Sequence, residues 1–332
     1  MTTYIIRRLI QSVIILFGLS LVFFIILHLT PGGPCSAYEE AGPAGIAKLH
    51  ACFIRLKLND PLPAQYWAWI SGYLRGDFGT SYTGQPVSAL ILQKLPATVL
   101  LVLVSYLFQQ LIALPLGMFS ALRQYSFFDH TFTFLSYVGL SLPTFWLGLM
   151  LIYGFSVQLD WFPTSGVENV NLPIFWSNEW FQALHQTPGL VLGDLARHLV
   201  LPALTLMVVG IANDSRFMRA SMLEVLHQDY IRTARAKGLT ARRVVLKHAL
   251  RNAILPIVTN VALFLPALIG GAVITETIFS WGGLGYQFFN SIQSSDYPFV
   301  QSFLMLSALA VLLANLLSDL TYAWVDPRIR YD

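Results

Sequence analysis

The residues of this chain best suited to chemistry lie between Asp229 and Pro256. There Arg232, Arg235, Lys237, Arg242, Arg243, Lys247 and Arg251 recur along an alanine-lined segment with a single glycine, Gly238. Their chemistry is charge-assisted hydrogen bonding to carboxylates or phosphates. Such a segment cannot lie in hydrocarbon, where each central Arg or Lys costs roughly 2.5 to 3.5 kcal/mol. It belongs in the cytoplasm. Asp229 is the expected N-cap of a short helix over Tyr230 to Lys237, and Gly238 its left-handed stop. Thr240 then caps a second helix that starts at Ala241. Ala234 and Ala236 keep the first helix slim, while Arg232, Arg235 and Lys237 give it a charged rim. Two readings fit these residues equally: a helix that enters a partner's groove, and a basic loop that rests on anionic lipid.

Catalysis by the chain itself is not expected. The sequence has no Gly-Lys dipeptide and therefore no Walker A phosphate loop; it also lacks H-E-x-x-H, G-x-S-x-G and S-x-x-K. Its seven histidines are scattered, with none at metal-ligand spacing from a Cys or another His. No metal or cofactor is assigned to this chain. Ionisable residues at or near membrane depth are His28, Asp214, Glu276 and Asp319. Each is a functional hypothesis by default, but the first three are read as lying near span ends within reach of water. Asp319 is read as pairing with a neighbouring helix or subunit.

The elements that position these residues follow from composition. Of 332 residues 55% are apolar and only 11% charged, against about 25% charged in an ordinary soluble domain. This predicts an all-α, polytopic membrane protein. Runs long enough to span, about 20 residues, occur near Leu9 to Thr30, Pro96 to Leu122, Phe132 to Leu159, Leu199 to Asn213, Ala253 to Ile274 and Phe299 to Trp324. Six transmembrane helices are expected, the fourth continuing past Asp214 into water. The corresponding division is a first helix over 1–30, an external loop over 31–95, a core over 96–324 holding the cytoplasmic loop 214–253, and a cytoplasmic tail over 325–332. With both termini inside, 14 Lys and Arg fall on the cytoplasmic side and six outside, which satisfies the positive-inside rule. The net charge of +3 therefore reports topology rather than a nucleic-acid partner; membrane lipid is the surface these residues border.

The first span reads as a retained helix, because its apolar run is about 20 residues long and ends without an A-x-A site. The external loop is too long for a simple connector, so it should be partly folded. A turn near Leu56 to Pro61, an interfacial helix around Trp67 and Trp69, and a turn at Gly76 to Gly79 are expected. Cys35 and Cys52 both fall in this loop, where either a disulfide or two thiols is permitted. Pro115, Pro143, Pro202, Pro256 and Pro266 fall in or beside later spans, where each tends to kink a helix.

A resemblance enters on particular residues. Arg232-Thr233-Ala234, then Gly238, then His248-Ala249-Leu250 resembles the E-A-A-x3-G signature loop of permease subunits of ABC importers. Arg232-Thr233 replaces the usual acidic residue and first alanine, and Arg251 stands where many members have proline. The wording RTARAKGL followed by HALRNAILP is similar to the variant in dipeptide and oligopeptide permeases. The N-terminal IIRRLIQSVIILFGLSLVFFIILHLTPGGP, the loop GDFGTSY and the late TETIFSWGGLGYQFFNSIQSSDYPFVQ match as well, with Gly282 at a position that is usually proline.

The resemblance implies a type I ABC importer permease fold in a prokaryotic inner membrane, paired with a second homologous permease. It also implies two cytoplasmic P-loop ATPases, which would bind ATP and Mg, and an external binding protein. The residues that would couple to the ATPases are Tyr230, Arg232, Thr233, Ala234, Arg235, Ala236, Lys237, Gly238, His248, Leu250 and Arg251. Ser136, Tyr137, Ser141, Thr144, Asn213, Thr259 and Asn260 are the polar candidates for lining the pathway, and any of them could instead hold helices together. The implied cargo is peptide, with nickel complexes, glutathione or oligosaccharide as alternatives. A stand-alone secondary transporter would need intramembrane ion sites and often inverted repeats, neither of which the sequence displays.

Overall fold

The computed structural model describes residues 2–29, 35, 42–255, 257, 266 and 272–325. Among these the regular elements are helices, and strand pairing is limited to an isolated bridge between Thr80 and Pro86. α1 (Thr2–Leu29) is apolar on nearly every side. Ile10, Val13, Phe17 and Ile26 remain exposed, as expected of a helix whose surroundings are lipid. One edge packs on the last helix, where Arg8 Nη2 lies 2.7 Å from Asp319 Oδ2.

The described residues that follow α1 are folded: Cys35 is joined by a disulfide to Cys52 within α2 (Gly42–Leu56), and after a turn α3 (Leu62–Leu74) follows. Closing a loop of this length is worth on the order of 3 kcal/mol. Phe24, Tyr66 and Trp69 meet edge-on or tilted between α1 and α3, and Ser20 Oγ and Tyr66 Oη are 2.7 Å apart. His28 lies in the last turn of α1 and is half-buried. Its ring nitrogens contact Phe24 O at 2.8 Å and Gln65 Oε1 at 2.9 Å, so it locks α1 to α3.

α4 (Val87–Leu122) starts at Pro86 rather than at Pro96, and both Pro96 and Pro115 lie inside it. The expected segment 31–95 therefore ends inside this helix. Hydropathy marks where a helix enters lipid, and this helix is already wound before that point.

The third expected span, Phe132 to Leu159, is not one rod. α5 (Phe127–Ser141) begins at Ser126, whose side chain accepts from Asp129 N at 3.2 Å. It stops at Leu142, and α6 (Thr144–Leu151) leaves at a bend of 100° before continuing through a π-helical stretch, Ile152–Gln158. Pro143 causes the break. Its ring disfavours the helical region for the preceding residue, and Leu142 is extended at φ −77, ψ 122.

α7 (Asn178–Gln186) leads into α8 (Pro188–Leu226). At 1.5 Å per residue α8 is about 58 Å long, well beyond a hydrocarbon core of about 30 Å, and it continues unbroken past Asp214 to Leu226. α8 lies against α4 closely enough that a Cβ at Gly117 would sit 2.3 Å from Ser215 O. α9 (Asp229–Ala236) and α10 (Ala241–Arg243) follow, then a π-helical stretch (Val244–Ala249) and α11 (Leu250–Ala253). The fifth expected span lies mostly outside the described residues. α12 (Val273–Ile278), α13 (Leu284–Gln293) and α14 (Tyr297–Val325) complete the chain. Among the described residues four helices are long and apolar enough to cross a membrane, or five with α5 and α6 counted as one span.

Candidate coupling surface and pathway

The end of the bundle that carries the basic segment is built on apolar contacts. Met218 and Met222 of α8 and Ala121 of α4 form a buried cluster with Ile231, Ala234, Val244, Ala249 and Ala253. Ile231 and Ala234 are three residues apart, so one face of α9 is buried while Arg232, Thr233, Arg235, Ala236 and Lys237 stay exposed. Ala234 thus faces the chain's own core, and the expectation that both alanines slim the helix for a partner's groove holds for position only at Ala236. Asp229 is the first helical residue and Gln228 the cap position. Asp229 therefore acts through the positive end of the helix dipole, not as an N-cap.

The stop after α9 has a specific hydrogen-bond pattern. Gly238 N donates to Arg235 O at 3.0 Å and Leu239 N to Ala234 O at 3.4 Å, with Gly238 at φ +74. This is the Schellman arrangement, and Leu239 packs on the same cluster. Across the turn, Asn252 Nδ2 donates to Tyr230 Oη at 2.9 Å and to His248 O at 3.0 Å. Ser221 Oγ donates to Ala253 O at 2.8 Å, fixing α11 to α8. His248 and Leu250 are half-buried and Arg251 is exposed. Thr233 Oγ1 returns to Asp229 O at 3.0 Å, and Thr240 contributes only its carbonyl to the second helix, without a side-chain cap. The exposed product is a short, rigidly backed, basic helix.

The described pathway candidates lie on α5, α6 and α8. Ser136 is buried, with Oγ donating to Phe132 O at 2.8 Å, a helix-internal role. Tyr137 is exposed and carries Arg216 over its ring at 4.4 Å. Ser141 Oγ donates to Tyr137 O at 2.8 Å on the last turn of α5, and Thr144 opens α6, so these two flank the break. Asn213 is exposed on α8. Thr259 and Asn260 lie outside the described residues.

The profile of the family described as binding-protein-dependent transport system inner membrane component matches residues 113–331, and that of its N-terminal region matches residues 1–102. The chain belongs to this family. It is 43% identical to the oligopeptide transport system permease protein AppB of Bacillus subtilis, and 39% identical to the dipeptide transport system permease protein DppB of Alkalihalophilus pseudofirmus, each over 100% of both chains. The solved inward-facing MetNI methionine ABC transporter matches with a TM-score of 0.51 at 18% identity, over 72% of this chain and 97% of that one. That likeness concerns the fold alone.

Within this permease, segments far apart in sequence meet at the end of the bundle remote from α9. Ser81 of the GDFGTSY loop donates to Asp296 of the SSDYP segment. Glu276 is fully buried, not at a watery span end, and accepts from Thr98 Oγ1 at 2.9 Å and Tyr286 N at 3.0 Å. Thr98 Oγ1 in turn accepts from Leu284 N at 2.7 Å, and Trp281 Nε1 donates to Ala97 O at 2.8 Å. These bonds staple residues 276–286 onto α4. Gly283 is small by necessity, since a Cβ there would stand 2.6 Å from Glu276 Oε2.

Burial pushes the Glu276 carboxyl above its ordinary value, and the hydrogen bonds from Tyr286 N and Thr98 offset only part of this. A raised acid favours the folded state while protonated. That contribution is complete below the ordinary carboxylate range, near 4.3, and is lost as pH rises through the raised value. Glu276→Gln should therefore flatten the acid-side pH dependence of thermal stability. An unchanged pH profile in the variant would show that Glu276 does not govern it.

The permease also contains a pair that sequence reasoning missed. Arg219 of α8 grips Asp129 of α5 through Nε at 2.7 Å and Nη2 at 2.8 Å. Ser120 donates to the same carboxylate, as does Tyr125 N at 3.0 Å. The available signal was Asp129 itself, a charge in the first turn of an otherwise aromatic span. Its partner is 90 residues away, beyond any local spacing rule.

Proposed function

We propose that this permease is one half of the membrane pathway of an ATP-driven peptide importer, fed by an external binding protein. What carries the reading is its full-length relationship, at 43% and 39% identity, to proteins named as oligopeptide and dipeptide permeases. Those names favour peptide over nickel complexes, glutathione or oligosaccharide. A second, related permease completes the pathway, and two cytoplasmic ATPases bind ATP and Mg and dock on the exposed face of α9 in each permease. Both termini are cytoplasmic. Hydrolysis belongs to the partners.

The coupling follows from the build of α9. Its buried face is continuous with α8 through Met218 and Met222, so a push on the basic face moves a helix that crosses the membrane. Moving an access equilibrium from 1:99 to 99:1 takes about 5.5 kcal/mol. Charge-assisted hydrogen bonds of roughly 1.5 to 3 kcal/mol each, made by two such loops, are sufficient in size.

Arg232 and Arg235 are the test. Arg232 and Arg235 are both exposed, and among the described residues Arg232 makes one ion pair, at 3.9 Å with exposed Asp229, so reversing these charges leaves the core of the loop intact. Arg232→Glu with Arg235→Glu should reduce ATPase recovered with the affinity-purified permease by at least about tenfold, the weight of one such bond, with membrane insertion unaltered. Unchanged recovery of ATPase would overturn the docking role of α9.

A further inference from the structure

Asp214 lies deeper than the end of a span. α4 and α8 run alongside each other in one register. Ala97 and Leu101 pack with Ala203 and Met207 at one end, and Gly117 meets Ser215 and Met218 at the other. Between these contacts Gln109 Nε2 donates to Asp214 at 2.7 Å, and Gln110 Nε2 donates to the same oxygen. Gln109 is the midpoint of the apolar run Pro96 to Leu122, so Asp214 is held near the middle of the span. Gly139 of α5 packs on Val208 and Ala212, which brings the α5–α6 break to the same stretch of α8. Secondary transporters place substrate sites at breaks of this kind near mid-membrane.

The chemistry around Asp214 is one-sided. Its hydrogen-bond donors among the described residues are the neutral amides of Gln109, Gln110 and, at 3.5 Å, Asn213. They orient the carboxylate without neutralising it. Gln110 Oε1, the other end of the same carboxamide, is buried without a hydrogen-bond partner among the described residues. Arg216, two residues on, lies over the Tyr137 ring. A carboxylate, an unsatisfied carbonyl oxygen and the exposed Asn213 amide together offer acceptors and negative charge. An ammonium group presents three donors and one positive charge.

We infer that Asp214, Gln110 Oε1 and Asn213 form a subsite within the span for the N-terminal ammonium of a passing peptide. This rests on the peptide-import reading. Every linear peptide with a free amino terminus carries that group, so the subsite is compatible with cargo of varied side chains. The amides give the carboxylate hydrogen-bond partners while the subsite is empty, and the subsite's acceptors replace the hydration that an arriving ammonium has left behind.

The experiment uses the complete importer in proteoliposomes with saturating binding protein, and trialanine as cargo. Asp214→Asn should lower uptake at least about tenfold, the weight of one charge-assisted bond, with all subunits still co-purifying. Asp214→Glu should recover most of the rate. The ratio of wild-type to Asp214→Asn uptake should fall towards one for N-acetyl-trialanine, since both forms receive it from the same binding protein. Equal trialanine uptake by Asp214→Asn, or an equal ratio for the acetylated peptide, would overturn the subsite. Loss of a subunit from the variant would also overturn it, assigning the charge to assembly. Failure of the wild type to import any peptide would instead remove the importer reading on which the subsite rests.

Discussion

Gly238→Val is expected to insert and fold normally yet lose about tenfold or more in peptide uptake, an energy of about 1.4 kcal/mol. Gly238→Asn should stay close to wild type. Gly238 sits at φ +74, and a Cβ built on it meets nothing within 4 Å. The cost of a side chain is therefore conformational rather than a clash. A left-handed residue costs roughly 1 to 2 kcal/mol, more for a β-branched side chain and less for Asn, which tolerates this region. That cost falls on the turn whose bonds to Arg235 O and Ala234 O hold α9 against α10. It is too small to unfold a bundle, but it is a fair share of the roughly 5.5 kcal/mol that a full access switch requires. The measurement is uptake per correctly inserted molecule. Normal uptake by the valine variant, or an equal defect in the asparagine variant, would remove Gly238 from the coupling path.

The largest stability effect is expected at Asp129 and Arg219. The Asp129 side chain is 3% exposed and that of Arg219 26%, so removing one partner strands a charge where water reaches it poorly. Breaking a buried pair in this way costs about 3 to 5 kcal/mol, whereas replacing both partners is far milder. Asp129→Asn and Arg219→Gln should each lower the thermal midpoint of the purified protein markedly, and the double variant should be less damaged than the two effects added. A coupling energy of about 2 kcal/mol would fall in the range for contacting residues. Strictly additive losses would mean that the two side chains do not support one another. The pair joins the start of α5 to the stretch of α8 directly above the α9 cluster, so the same variants should also blunt transport where the protein survives.

The α9 turn and the α5–α6 break show how differently local and distant information is carried. Gly238 after a basic amphipathic octet is a local signal, because only a few residue types accept its backbone angles, and the structure has Gly238 there. The N-cap was shifted by one residue, since Asp229 is as favourable inside the first turn as before it. Pro143 announced a disturbance through its missing N–H, but the size of the bend did not follow. A proline can kink a helix or end it, and the packing of Gly139 on α8 and Gly148 on Phe279 and Thr205 holds the chain on both sides of a 100° turn.

Composition and apolar runs determined by themselves that this is a helical membrane protein with a basic segment between its apolar runs. Each depends on the cost of transferring residues into lipid, which is summed along the chain and needs no knowledge of neighbours. The family motifs were likewise legible, since they are strings. Only the tertiary structure decided that Glu276 is closed off by Thr98, that Arg219 answers Asp129, that Ser81 meets Asp296, and that Asp214 lies level with Gln109 and Gln110. Hydropathy places an ionisable residue by its distance from the end of an apolar run. What fixes its depth and its partners is the register between helices, set by close approaches such as Gly117 against Ser215, and that register has no local signature.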